Sequence, residues 1–114
     1  MNTIPFDTEK AKLAERAVCR EFGCGIADIV SMSDTMTKKV VVFLLTKRYG
    51  YDKRIIGHKY QMTYLYVPTV VAELEHMIKV VPGFELKMNA IIQQLDYEKT
   101  LDSAGIRDFA PALS

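Results

Sequence analysis

The chain has 114 residues, 49% of them hydrophobic, and a net charge of +1. That is one domain's worth of residues with enough apolar side chains for a core, which excludes a wholly disordered chain and a small scaffold dependent on disulfides or metal. The longest unbroken apolar run, Val40 to Leu45, is six residues, against the roughly 20 that a membrane-spanning helix needs. The first residues, Met1 to Asp7, lack the basic and apolar regions of a signal peptide, so the expected location is cytoplasmic.

A first helix is expected from about Thr8 to Glu21. Asp7 or Thr8 caps it, Glu9 lies in the turn where the helix dipole favours an acid, and Leu13, Ala14, Ala17, Val18 and Phe22 form an apolar stripe. Gly23 stands where a left-handed stop belongs. Cys19 and Cys24 are five apart, which is neither a C-x-x-C redox spacing nor a zinc-ligand spacing, and His58 and His76 stand alone. The cysteines read as small, partly buried apolar residues and the histidines as surface residues, so no metal or cofactor is expected. A short second helix runs through Ile26 to Val30, and Ser31 to Thr35 is a polar connection.

The third element, Lys38 to Arg48, has strand propensity at its centre, and periodicity alone does not separate a buried strand from a buried helix. A lone strand would have no partner for its backbone, so a buried helix is expected. A short basic helix follows near Asp52 to Tyr60, with Asp52 as its cap, and then a turn through Gln61 to Tyr66. Pro68 opens a fifth helix whose apolar face is Val67, Val70, Val71, Leu74, Ile78 and Val81. Pro82-Gly83 ends it. A sixth helix, Glu85 to Tyr97, turns Met88, Ile91, Ile92 and Leu95 inward. Residues 1–99 thus read as one helical domain, and 100–114 as a flexible tail.

Charge is distributed unevenly. Between Met36 and Ala72 lie seven basic residues (Lys38, Lys39, Lys47, Arg48, Lys53, Arg54 and Lys59) and one acid, Asp52. The segments before and after are net acidic, with four basic residues against six and seven acids. One positive face is the footprint of phosphate binding, and solvated helix ends are the plainer alternative. No phosphate-cradling glycine loop or dinucleotide fingerprint occurs, and no pair of acids stands out for general acid–base work. The chain therefore reads as a binding protein and not an enzyme.

Several strings resemble one known family. Val18-Cys19-Arg20-Glu21-Phe22-Gly23-Cys24-Gly25-Ile26-Ala27-Asp28-Ile29-Val30-Ser31 is similar to a helix, a Phe-Gly stop, a short helix and a Ser. Lys38 to Leu45 is similar to a long buried helix. Arg54-Ile55-Ile56-Gly57-His58-Lys59-Tyr60 resembles an Ile-Gly-x-x-Phe helix end, and Val67-Pro68-Thr69-Val70 stands near a His-Thr-Thr-Val helix start. Together, over about residues 10 to 97, they resemble the C-terminal DNA-binding domain of the bacterial replication initiator DnaA. The resemblance implies an all-α, Trp-repressor-like bundle of five to six helices containing a helix-turn-helix, and a role accessory to replication or transcription.

The chain departs from that family where the family reads sequence. Gln61 to Thr69 replaces the Gly-Arg-Asp-His-Thr-Thr signature, is about two residues longer, and keeps only Thr69. The basic loop ahead of the third helix is shortened to Asp34-Thr35-Met36-Thr37, and the 114 residues hold no AAA+ ATPase module. Neither origin-box recognition nor nucleotide-driven initiation is therefore implied.

Two readings remain open. In the first, the chain binds double-stranded DNA through Lys38, Lys39, Lys47, Arg48, Lys53, Arg54 and Lys59, with Tyr64, Tyr66 and Thr69 reaching bases or backbone. Glu73 and Glu75 on the fifth helix would then oppose the phosphates. In the second, the fold is kept but readout is lost, and a patch around Tyr64, Leu65 and Tyr66 meets a protein partner or a second copy.

Overall fold

A computed structural model describes residues 5–30 and 35–104. Among these residues there are six helices: α1 (Thr8–Phe22), α2 (Ile26–Val30), α3 (Met36–Lys47), α4 (Lys53–Lys59), α5 (Val67–Val80) and α6 (Phe84–Ala104). No strand occurs among the described residues, so the expected all-α class holds. None of the helices is long and apolar enough to cross a membrane.

Local chemistry sets most of the boundaries. The Asp7 carboxylate accepts from the Glu9 and Lys10 amides at 2.9 and 3.3 Å and starts α1. Gly23, at φ 67°, stops it in the left-handed region that a residue with a Cβ resists. Asp52 caps α4 by accepting from the Arg54 amide at 2.9 Å. Thr35 caps α3 through its hydroxyl, which accepts from the Lys38 amide at 3.2 Å.

The segment of uncertain type is helical because of where it lies. α3 packs against α1, α2, α4 and α5, and Val40 to Leu45 are all buried. Three consecutive valines cost a helix up to about 0.7 kcal/mol each in propensity. Full burial of each returns about 1.5 kcal/mol or more, so packing wins. α1 and α5 flank this central helix, and α6 closes the bundle against both.

Three expectations need correction. Pro68 is the second residue of α5, behind Val67; its missing N–H is still one that the helix would leave unbonded. Val81 does not belong to the apolar face. It leaves the helix at φ −93°, ψ 115° and is exposed. α6 runs on to Ala104, past the expected end at Tyr97, because no glycine or proline interrupts the chain between Tyr97 and Gly105. Residues 105–114 of the segment read as a tail, and the connection at 31–34, lie outside the described residues.

Candidate nucleic-acid interface

The ten residues singled out from the sequence fall into two groups. The α3 set is engaged internally. Lys38 is fully buried and is corrected as a DNA contact, since its ammonium lies out of reach of a phosphate. Lys39 donates to both carboxylate oxygens of Glu73 on α5, at 3.1 and 3.3 Å. This hydrogen bond holds the Lys39 ammonium above its ordinary pKa, and Tyr66 beside it adds to the effect. Lys47 pairs with Glu75 of α5 at 3.2 Å. Arg48 pairs with Asp96 of α6 and lies over the Tyr49 ring. The two acids of α5 that would oppose phosphates are therefore met by lysines of α3.

The second group gathers at the start of α4 and the turn that follows it. The Lys53 ammonium and the Arg54 guanidinium both lie over the Tyr64 ring, 5.8 and 5.4 Å from its centre. Neither forms an ion pair with a carboxylate among the described residues. Both are exposed, as are Tyr64, Leu65, Pro68 and Thr69. Lys59, at the other end of α4, is half-buried and lies over Phe6 and Tyr60. Tyr66 is half-buried and interacts with Lys39.

A close backbone approach builds this turn. Gly57 is buried inside α4, and its carbonyl accepts from the Met62 amide at 2.9 Å. A Cβ on Gly57 would lie 2.6 Å from the Met62 carbonyl oxygen and 3.2 Å from the Tyr64 amide nitrogen. Gln61 takes the left-handed conformation, φ 59°, that reverses the chain. The Tyr66 and Val67 amides then donate to the Thr63 and Tyr64 carbonyls and lead into α5, which has no side-chain cap.

Sequence reasoning missed the buried pair that anchors α4. The Tyr60 hydroxyl donates to the Glu15 carboxylate of α1 at 2.6 Å. Tyr60 is fully buried and Glu15 is 6% exposed. Burial first, and then the neighbouring carboxylate, push the Tyr60 phenol far above its ordinary value. The available signal was Glu15 itself, an acid flanked by Ala11, Ala14 and Val18 on the inward face of α1.

His58 and His76 are exposed, and Cys19 and Cys24 are half-buried. No cluster of three metal-ligating side chains occurs among the described residues. Compared with known protein families, characterised proteins and solved structures, the chain matches none.

Proposed function

We propose that this domain binds duplex DNA without a catalytic step, using α4, the turn at 61–66 and α5 as a helix-turn-helix. The observation that carries the reading is the pair of cations, Lys53 and Arg54, held over one exposed tyrosine ahead of α5. Cations are disfavoured in the first turn of a helix by the helix dipole, yet Lys53 and Arg54 begin α4. A local rule broken at an exposed position is expected where function requires it. Lys53 and Arg54 would hold phosphates, Tyr64 would lie on the backbone, and Thr69 would face the groove from the first turn of α5.

The resemblance to the DnaA domain supports the same placement, since α4, the turn and α5 follow the order of that family's helix-turn-helix. With its Arg, Asp and His readers absent, affinity here would come mainly from phosphates, and sequence preference would be weak. Glu73 and Glu75 weigh less against the reading than they do in the linear sequence, because Lys39 and Lys47 offset them.

Fluorescence anisotropy of a labelled duplex, titrated at several salt concentrations, tests the proposal. Replacing Lys53 and Arg54 together by Ala should flatten the log–log salt slope by about 1.8 and weaken binding about 60-fold at 0.1 M salt. Absence of binding to any duplex at low salt would overturn it. One observation favours the protein-interaction reading: Leu65, in the turn, is 69% exposed, and Tyr64 before it is exposed as well. Under that reading Leu65→Ser abolishes self-association or partner capture, and the Lys53/Arg54 double variant leaves it intact.

A further inference from the structure

The α1–α2 junction brings two cysteines to the wall of one groove. α1 closes with the Cys19 carbonyl accepting from the amides of both Gly23 and Cys24, the latter at 3.1 Å. A six-residue closure of this kind around a left-handed glycine is frequently accompanied by contact between the side chains of its first and last residues. Those residues are Cys19 and Cys24. With N–Cα near 1.46 Å and Cα to carbonyl oxygen near 2.4 Å, the hydrogen bond holds the two α-carbons within about 7 Å at full stretch. Bent geometry brings them closer, into the range of about 4.4–6.8 Å that disulfides span.

The surroundings of the pair carry positive charge. Cys19 and Cys24 line one open groove of about 370 Å³ with Arg16, Arg20, Gly25 and Ile26. Arg16 and Arg20 are one turn apart on α1 with Cys19 between them, so the three share a face. Both arginines are exposed, and neither meets a carboxylate among the described residues. Both cysteines are half-buried thiols, reachable by a small molecule.

We propose that Cys19 and Cys24 form a dithiol exchange site for small anionic disulfides, with Arg16 and Arg20 holding the anion. One cysteine, as the thiolate, attacks a sulfur of the small disulfide. That S–S bond breaks, one small thiolate leaves and takes up a proton, and a mixed disulfide remains on the protein. The second cysteine gives up its proton and attacks the protein sulfur of the mixed disulfide. This closes the Cys19–Cys24 bond and releases the second small thiol. In balance, two protein thiols are oxidised and one small disulfide is reduced to two thiols.

Oxidised glutathione is the probe. The folded 114-residue chain is incubated with it, quenched with iodoacetamide and mapped by mass spectrometry. The expected product has both cysteines protected, no glutathione attached and two hydrogens lost. Cys24→Ser should trap glutathione on Cys19, and Cys19→Ser reports the converse should the first variant fold poorly. Replacing Arg16 and Arg20 by Gln should slow oxidation by glutathione disulfide about threefold and leave the rate with neutral 2-hydroxyethyl disulfide unchanged. Full alkylation of both cysteines, disulfide-linked dimers, or persistent glutathione on both residues of the unmutated chain would each overturn the dithiol site. Equal slowing with the neutral disulfide would overturn the role of the arginines.

Discussion

Two basic regions close together in sequence meet different fates in the fold. On α3, Lys39 and Lys47 point across to Glu73 and Glu75 on α5, so four charges cancel at a helix–helix contact. At the start of α4, Lys53 and Arg54 meet no carboxylate among the described residues and rest on the ring of Tyr64. A tyrosine face orients a cation without neutralising it, so only the second region keeps its charge available to a phosphate. Seven positive charges in one segment are thus not one positive face, and the decisive variable is the partner each charge finds.

The contrast depends on α4 being held in place, and one buried anchor is the Tyr60–Glu15 hydrogen bond. Tyr60→Phe leaves a carboxylate that is 6% exposed without its donor. Hydrogen bonds to charged groups are worth about 1.5–3 kcal/mol, so a loss of about 2–3 kcal/mol is expected in urea unfolding. The pH dependence has a definite sign. The folded phenol titrates far above the unfolded one, so the unfolded chain releases its proton first as pH rises through about 10, and stability falls above that pH by about 1.4 kcal/mol per unit. Tyr60→Phe should remove about 1.4 kcal/mol per unit of the alkaline slope, leaving the share of Lys39 and Tyr51, which also titrate above their ordinary values. An unchanged slope would show that Tyr60 is not the group responsible.

Gly57 tests the turn itself. Alanine in place of a helical glycine ordinarily gains about 1 kcal/mol. Here the new methyl would lie 2.6 Å from a backbone carbonyl that cannot rotate aside. Overpacking of this kind costs about 1–3 kcal/mol, and a clash with backbone belongs at the upper end. The net expectation is a loss of about 2 kcal/mol together with displacement of Tyr64 from Lys53 and Arg54. Thermal unfolding and the duplex titration would both report it. A stabilised Gly57→Ala variant would mean that the turn yields freely and does not fix the cations.

Much of the fold was legible because its signals are local. Asp7, Gly23 and Asp52 each act on amides or backbone angles within a few residues, and the expected boundaries of α1 and α4 follow from them. The helical state of α3 was inferred by excluding a lone strand, and its physical cause is burial by four neighbouring helices. The site was less legible. Lys39 and Glu73 are 34 residues apart, and nothing in the spacing of either reveals the other. Lys38 counted as one more surface cation until the fold buried it. Lys53, Arg54 and Tyr64 were all named from the sequence, but their convergence depends on the reversal at Gln61 and the close approach at Gly57.

The smallest expected effect bears most directly on the comparison. Replacing Lys39 and Lys47 together by Gln removes the same formal charge as replacing Lys53 and Arg54. If net charge alone governed duplex binding, the two double variants would weaken it equally. If partners govern it, replacing Lys39, Lys47, Glu73 and Glu75 all by Gln should change affinity by less than about threefold, since each pair is then lost as a neutral unit. The Lys39/Lys47 variant alone uncovers two acids that oppose the phosphates. The cost in stability should also be small and unequal. Lys39, with its side chain 15% exposed, is shielded from solvent, whereas Lys47 and Glu75 are 52% and 46% exposed. Exposed pairs contribute about 0–1 kcal/mol, so the Lys47–Glu75 pair should lie near zero in a double-mutant cycle and Lys39–Glu73 near 1 kcal/mol. A loss of affinity in the fourfold Gln variant as large as that in the Lys53/Arg54 variant would return the basic segment to a single undivided face.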